Sequence, residues 1–279
     1  MKKRQKEKKN MRQRARLLLL IAVIFLAGVA AAGILCRDAA MVTDFSRKDL
    51  APCLKYPFGT DWLGRNMFYR TLTGLSMSIL IGVCAAGVSA VMALVLGVAA
   101  ATLGKKADSV ISFFIDMVMG IPHILLLVLI SYAAGKGLKG VVIGVALTHW
   151  TSLARLIRGE VLQLKESEYI QITRKLGHGS FEIARKHMLP HLLPQFLVGL
   201  VLMFPHAILH ESSITFLGFG LSSEQPAIGV ILSESMKYLI TGKWWLALFP
   251  GLMLVLTVVL FDLGGTSLRK ILDPGSVHE

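Results

Sequence analysis

The chain has 279 residues, of which 54% are apolar and 17% charged, against roughly 25% charged in ordinary soluble domains. With a mean hydropathy of +0.64 this excludes an ordinary soluble domain and points to an integral membrane protein. The formal net charge of +13 raises nucleic-acid binding only until the charges are located, because they cluster beside apolar runs. Residues 2–16 carry nine Lys/Arg, and 17–35 is then apolar without a charge. At 1.5 Å per residue, about 20 residues cross a roughly 30 Å hydrocarbon core. A first span over 17–36 is therefore predicted, behind a basic tail at 1–16. A signal peptide is the rival reading; the length of the run and the spans that follow favour an uncleaved anchor.

Residues 37–76 are mixed polar, with turn signals at Ala51-Pro52 and Tyr56-Pro57. They read as an outer segment with an amphipathic helix, Thr60 or Asp61 capping it and Trp62, Leu63 and Phe68 lying on the membrane interface. Further spans are expected over 76–103, 109–134 (with Asp116 and Pro122 inside), 140–156, 192–216 (interrupted by Pro194 and Pro205) and 244–263. Residues 77–274 thus form a core of five spans, with a polar loop over 159–191 and a short tail at 275–279. Cys36, Cys53 and Cys84 lack metal-ligand spacing, and nothing fixes the geometry for a 36–53 bridge.

Orientation follows from the basic residues. With the N-terminus inside and the spans alternating, the inner segments hold 20 Lys/Arg and the outer ones 10. The expected fold is all-α, six transmembrane helices, N-in and C-in. The basic charge marks topology and anionic lipid head groups, and nucleic acid is not needed to explain it.

The inner loop is the stretch most suited to a partner. Glu166 to Leu176 reads as a helix, Gly177-His178-Gly179 breaks it, Ser180 is placed to cap a second helix, and Leu189-Pro190 is expected to stop that one. Leu176, Phe181 and Ile183 offer an apolar face for a groove. The plain alternative is a solvated connector. Within the spans, Asp116, His206, His210, Glu211 and Asp262 are ionisable and costly to bury, which marks a candidate cargo path. His206 and His210 share one helix face and Met203 is near; Glu211 points about 100° away from His210. Two histidines without a third ligand do not make a firm metal site, and bundle packing is the bland alternative. No phosphate-cradling loop, Gly-x-Ser-x-Gly or His-Glu-x-x-His occurs, so an enzyme has no footing in this chain.

Several motifs carry a family resemblance. Gly177, Leu189 and Pro190 match the spacing of the EAA loop of ABC importer permeases, with Gln171, Ile172 and Thr173 at the Glu-Ala-Ala positions and His187 at the Ile position. Phe58-Gly59-Thr60-Asp61-Trp62-Leu63-Gly64-Arg65-Asn66 resembles the Phe-Gly-Thr-Asp-x-Leu-Gly-Arg-Asp signature of the peptide/nickel branch, differing at Asn66. Glu168, Tyr169, Arg174, Leu176 and Gly177 fit the loop variant of that branch, Arg185 through Pro190 fit its close, and the docking residues it implies include His178, Ser180 and Phe181. Ser213 to Leu221 resembles its Ser-Phe-Leu-Gly-Leu-Gly motif, while Ile228 stands where Trp is usual; Leu268-Arg269 through Pro274 match its close.

The resemblance implies a type I ABC importer permease fold in a bacterial inner membrane. It implies a heterodimer with a homologous permease, against which the first span packs, two ATP-binding subunits carrying the ATP and magnesium, and an extracytoplasmic solute-binding protein. This chain would hold no cofactor. The loop around Gly177 would dock on the ATPase, and 58–66 with 217–243 would receive cargo. The histidines of the fifth span and Ile228 lean the cargo toward nickel or another metal chelate; a di- or oligopeptide is the alternative. A secondary transporter or channel without an ATPase is the alternative of another class.

Overall fold

The structure is a computed structural model that describes residues 2–272; Asp273, Pro274 and the 275–279 tail lie outside the described residues. It is all-helical apart from turns and one isolated bridge between Thr60 and Asn66. Helix α1 (Lys2–Leu35) is followed by a short α2 (Arg37–Met41), an irregular collar with one 3-10 turn, and α3 (Met67–Thr102). Next come α4 (Lys105–Gly120), α5 (His123–Ala133), α6 (Gly137–Glu166), α7 (Glu168–Lys175) and α8 (Ser180–Ile183). A π-helical turn (Ala184–Met188) leads into α9 (Leu189–Phe216), then α10 (Ile228–Leu239) and α11 (Trp245–Leu272). Five described helices are long and apolar enough to cross a membrane, or six if the bent pair α4–α5 counts as one span.

That pair corrects the single helix expected over 109–134. The axes of α4 and α5 differ by 102°. Pro122 has no N–H to give, and it forces the residue before it out of the helical region, so Ile121 sits at φ −91° and ψ 138°. The two pieces are 16 and 11 residues long. They span about 24 and 16 Å, so neither crosses a roughly 30 Å core alone.

The bundle is built around α3, whose 36 residues extend about 54 Å. It starts earlier than expected, at Met67, because Asn66 caps it by accepting from the Phe68 N–H at 3.0 Å. Its buried face is lined by small residues, Gly82, Ala85, Ala86, Ser89, Ala93 and Gly97, which let neighbouring backbones come close. Ser89 donates to the Ala146 carbonyl of α6 at 2.7 Å, and Ser76 to the Ala30 carbonyl of α1 at 3.0 Å. With no hydrophobic drive between helices in lipid, such contacts and tight packing hold the bundle together. Helix α1 lies on α3 and α11 of its own chain, at Ser76 and Gly264, and leaves Leu18, Leu20 and Ile24 uncovered.

The bundle has two distinct ends. At one, α3 begins beside α10 and α11: Arg70 reaches Glu234, and Gly59 abuts Trp245. At the other, Lys165 donates to the Ala101 carbonyl, and Glu160, Pro190 and Arg269 line one cleft. The former is the collar end and the latter the elbow end.

Candidate functional site

At the collar end, the Phe58–Asn66 signature folds as a buried turn and not as an amphipathic helix. Asp61 is fully buried; one oxygen accepts from the Leu63 and Arg65 N–H groups, both at 2.9 Å. The other meets Arg65 Nε at 2.7 Å and an Arg70 amino group at 2.6 Å. Asp61 is therefore the organiser of the turn, and the helix cap expected of Thr60 or Asp61 passes to Asn66. Thr60 is also fully buried and accepts from the Leu50 N–H at 2.9 Å. Gly64 has φ +73° with the Asp44 carbonyl where a Cβ would stand, so no other residue fits there. The Ser46 hydroxyl and backbone N–H hold the Asp44 carboxyl below its ordinary range, with Arg47 adding to the effect. Phe58 stacks on Phe249 at 4.8 Å, and Trp62 on Tyr238 at 4.7 Å, which fixes the signature to α10 and α11. Arg70 and Glu234, 3.2 Å apart, complete the network. Both lie outside the nine-residue motif.

At the elbow end, Ser167 is extended (ψ 140°) and separates α6 from α7, splitting the helix expected over 166–176. Gly177 at φ +90° turns the chain back. Glu182 then braces the turn, accepting from Lys186 at 2.7 Å and pairing with His178 at 3.0 Å. Tyr169 meets His187 across the elbow. Glu168 and Arg174 sit in the first and last turns of α7, where their charges suit the helix dipole. Leu176 and Phe181 are 74% and 80% exposed at the tip, with Ile172 beside them. Ile183, expected on the same face, is only 1% exposed and belongs to the core. The Ser180 side chain lies outside the described residues.

Pro190 does not end the helix. It falls in the first turn of α9, where its missing N–H costs least, and the preceding π turn carries Leu189 N–H back to the Ala184 carbonyl. One helical rod therefore runs over Phe181–Phe216, 36 residues.

Along this rod Met203, His206 and His210 recur at three and four residues, on one face. They open on a cavity of about 370 Å³, together with His123, Thr148, His149, Thr151 and Ser152. The rings of His123, His149 and His210 approach pairwise at centroid distances of 4.7, 4.4 and 5.0 Å. The break at Pro122 sets this up, because it places His123 at the start of α5, facing α6 and α9. His123 and His149 escape sequence reading because they lie on separate elements; the one available signal was a histidine just after the intramembrane Pro122. Two expected cargo-path residues lie elsewhere. Asp116 pairs with Arg155, both exposed. Glu211 is fully buried on another face, accepting from Thr215 at 3.0 Å and Ser212 at 3.3 Å. Ile228, at the position where Trp is usual, is fully buried against α3 at Gly74 and lies outside the wall of this cavity.

Comparison with known proteins gives the same architecture. Residues 93–277 match the family described as binding-protein-dependent transport system inner membrane component. The dipeptide transport system permease protein DppC of Bacillus subtilis is 32% identical over 267 residues, covering 96% of this chain and 83% of that protein. The oligopeptide transport system permease protein OppC of Bacillus subtilis is 32% identical, covering 92% and 84%. The probable D,D-dipeptide transport system permease protein DdpC of Escherichia coli K12 is 30% identical, covering 83% and 77%. Among solved structures, a chain of the MetNI methionine ABC transporter in an inward facing conformation superposes with a TM-score of 0.62 at 18% identity. The match covers 74% of this chain and 98% of that one.

Proposed function

This chain belongs to the family of binding-protein-dependent transport system inner membrane components, and from that premise we propose how its three regions divide the work. It is a permease subunit of an ABC importer, a non-catalytic membrane chain whose cargo moves at the expense of ATP hydrolysed on a partner. In our reading it works as a heterodimer with a second permease, over two ATP-binding subunits and under an extracytoplasmic binding protein, in a bacterial inner membrane with N-in and C-in topology. The elbow of Glu168 to Pro190 docks on the ATPase. The collar of Phe58 to Arg65 faces the binding protein.

The observation that carries this is the rod over Phe181–Phe216. It holds an uncovered aromatic at the elbow tip and, about 38–44 Å along its axis, the two histidines of the cavity. A rigid helix transmits a displacement at its tip to the cavity without any other moving part. ATP-driven closure of the ATPases would move the elbows and alternate access to the cavity. The test is co-purification of the tagged chain from detergent. Wild type is expected to bring down ATPase subunits, and Gly177→Pro and Phe181→Glu to lose them. A chain that purifies alone, and moves solute in liposomes without ATP, would be a secondary transporter and would overturn the reading.

For cargo, the histidine-lined cavity favours nickel or a metal chelate. The dipeptide and oligopeptide permeases among its relatives favour a second reading, a di- or oligopeptide. Parallel uptake of radiolabelled nickel and a labelled dipeptide separates the two.

A further inference from the structure

We propose that His123, His149 and His210 form a three-imidazole coordination site for a late first-row divalent metal ion, which this chain passes through the membrane as cargo, with His206 and Met203 as neighbouring donors. This rests on the importer reading and specifies its cargo.

Four observations converge on one cavity. First, a ligand nitrogen from each of the three histidines lies within 4.8 Å of the other two. Imidazole nitrogens bind such ions at about 2.0–2.1 Å, so two on one ion stand roughly 3–4 Å apart. Small ring rotations close the remaining gap. Second, the Nε2 atoms of His123 and His149 are buried with no hydrogen-bond partner among the described residues. A buried imidazole nitrogen that no protein group satisfies is open to a ligand, and a metal ion is one that its lone pair takes.

Third, the tautomer of His149 is set. Its Nδ1 lies 3.0 Å from the Val145 carbonyl, which only accepts, so Nδ1 carries the proton. Thr148 donates its hydroxyl proton to the Gly144 carbonyl at 2.9 Å, and its oxygen is free to accept from the same Nδ1 at 3.0 Å. The Nε2 lone pair is thereby left for a ligand, as in metal-binding histidines, whose other ring nitrogen donates to a carbonyl or similar acceptor. Fourth, among the described residues the cavity wall holds no carboxylate, lysine or arginine. A peptide would enter with an ammonium and a carboxylate and find neither counter-charge. Hard ions such as magnesium and calcium want oxygen donors, whereas imidazole and thioether suit cobalt, nickel, copper and zinc.

The site also stands where a cargo site has to be. His149 is about 18 Å along α6 from Gly137 at the collar end, near the middle of the bundle. Three elements supply the three ligands: α5 just after its break, α6, and the rod that ends in the elbow. Movement of the rod pulls His210 away from the other two and weakens the site, which lets a bound ion leave.

The experiment uses the full chain co-purified with its ATPase subunits and reconstituted in lipid nanodiscs, titrated with cobalt(II) alone and read by visible d–d absorption. Wild type is expected to bind one equivalent. His123→Ala, His149→Ala and His210→Ala should each weaken binding by about tenfold or more, and the triple variant should abolish it. His191→Ala, outside the cavity, should change nothing. Retained ATPase co-purification certifies that each variant is folded. Should a variant not assemble, the matching His→Gln change is used. Absence of cobalt binding by an assembled wild type, or binding that survives in the triple variant, overturns the proposal and leaves the importer reading intact. Failure of the wild-type chain to bring down ATPase overturns the importer reading, whatever the metal does.

Discussion

Arg70 is fully buried with the carboxylates of Asp61 and Glu234 in reach, at 2.6 and 3.2 Å. Its loss leaves Asp61, itself fully buried, with Arg65 as its one remaining cation, and takes from Glu234 its nearer partner. Arg70→Ala is expected to destabilise the chain by about 3–5 kcal/mol, read as a lowered unfolding temperature in detergent. Arg70→Lys should recover only part, because a lysine lacks the planar fork that serves two carboxylates at once. The exposed pair of Asp116 and Arg155 is the control: Asp116→Ala should shift stability by no more than about 1 kcal/mol. Equal effects at the two sites would show that the collar network is not what holds α3 to α10. Within the cavity, Thr148→Val removes a group that orients His149 without touching the metal. It should weaken cobalt binding about tenfold and leave ATPase co-purification unchanged.

At the scale of the elements, prolines show how far the sequence reaches. Pro122, Pro190, Pro194, Pro205 and Pro250 all lie in or between helical stretches, yet of these only Pro122 divides two helices set at a sharp angle, while Pro194, Pro205 and Pro250 sit inside continuous ones. Pro190 is absorbed by a π turn before it, a choice made by packing: Met188 and Ile183 have to reach the core on either side. Nothing local in the sequence states that. The long spans were legible because about 20 apolar residues leave few other options, and Gly177 because a reversal between polar helices needs φ above zero. The cavity was half legible: His206 and His210 share a helix face, but the partners that complete the group come from α5 and α6. The collar was legible only by family resemblance, since Asp61 reads as a cap until Arg70 is seen beside it. The elbow yields a further prediction. Leu176 and Phe181 are exposed, so Phe181→Glu should leave the unfolding temperature of the isolated chain unchanged while ATPase association is lost. Ile183→Glu places a charge in the core and should unfold the chain. If Phe181→Glu unfolds it as well, the tip is structural.

For the whole molecule, the two ends divide the chemistry: aromatic and ion-paired at the collar, basic with an uncovered apolar tip at the elbow. Orientation can be read from the native cysteines. Cys53 lies in the collar and is exposed. With Cys36 and Cys84 changed to Ser, a membrane-impermeant maleimide added to intact cells should label Cys53; labelling only after permeabilisation would invert the topology. The central claim, that this chain couples ATP hydrolysis on a partner to inward movement of cargo, is tested most directly by uptake into vesicles. The assembled importer is reconstituted with its binding protein and offered radiolabelled nickel and a labelled dipeptide in parallel. The account predicts that at least one cargo accumulates, that uptake requires hydrolysable ATP, and that it disappears in Phe181→Glu. Accumulation at the same rate without ATP, or in the Phe181→Glu variant, would contradict it.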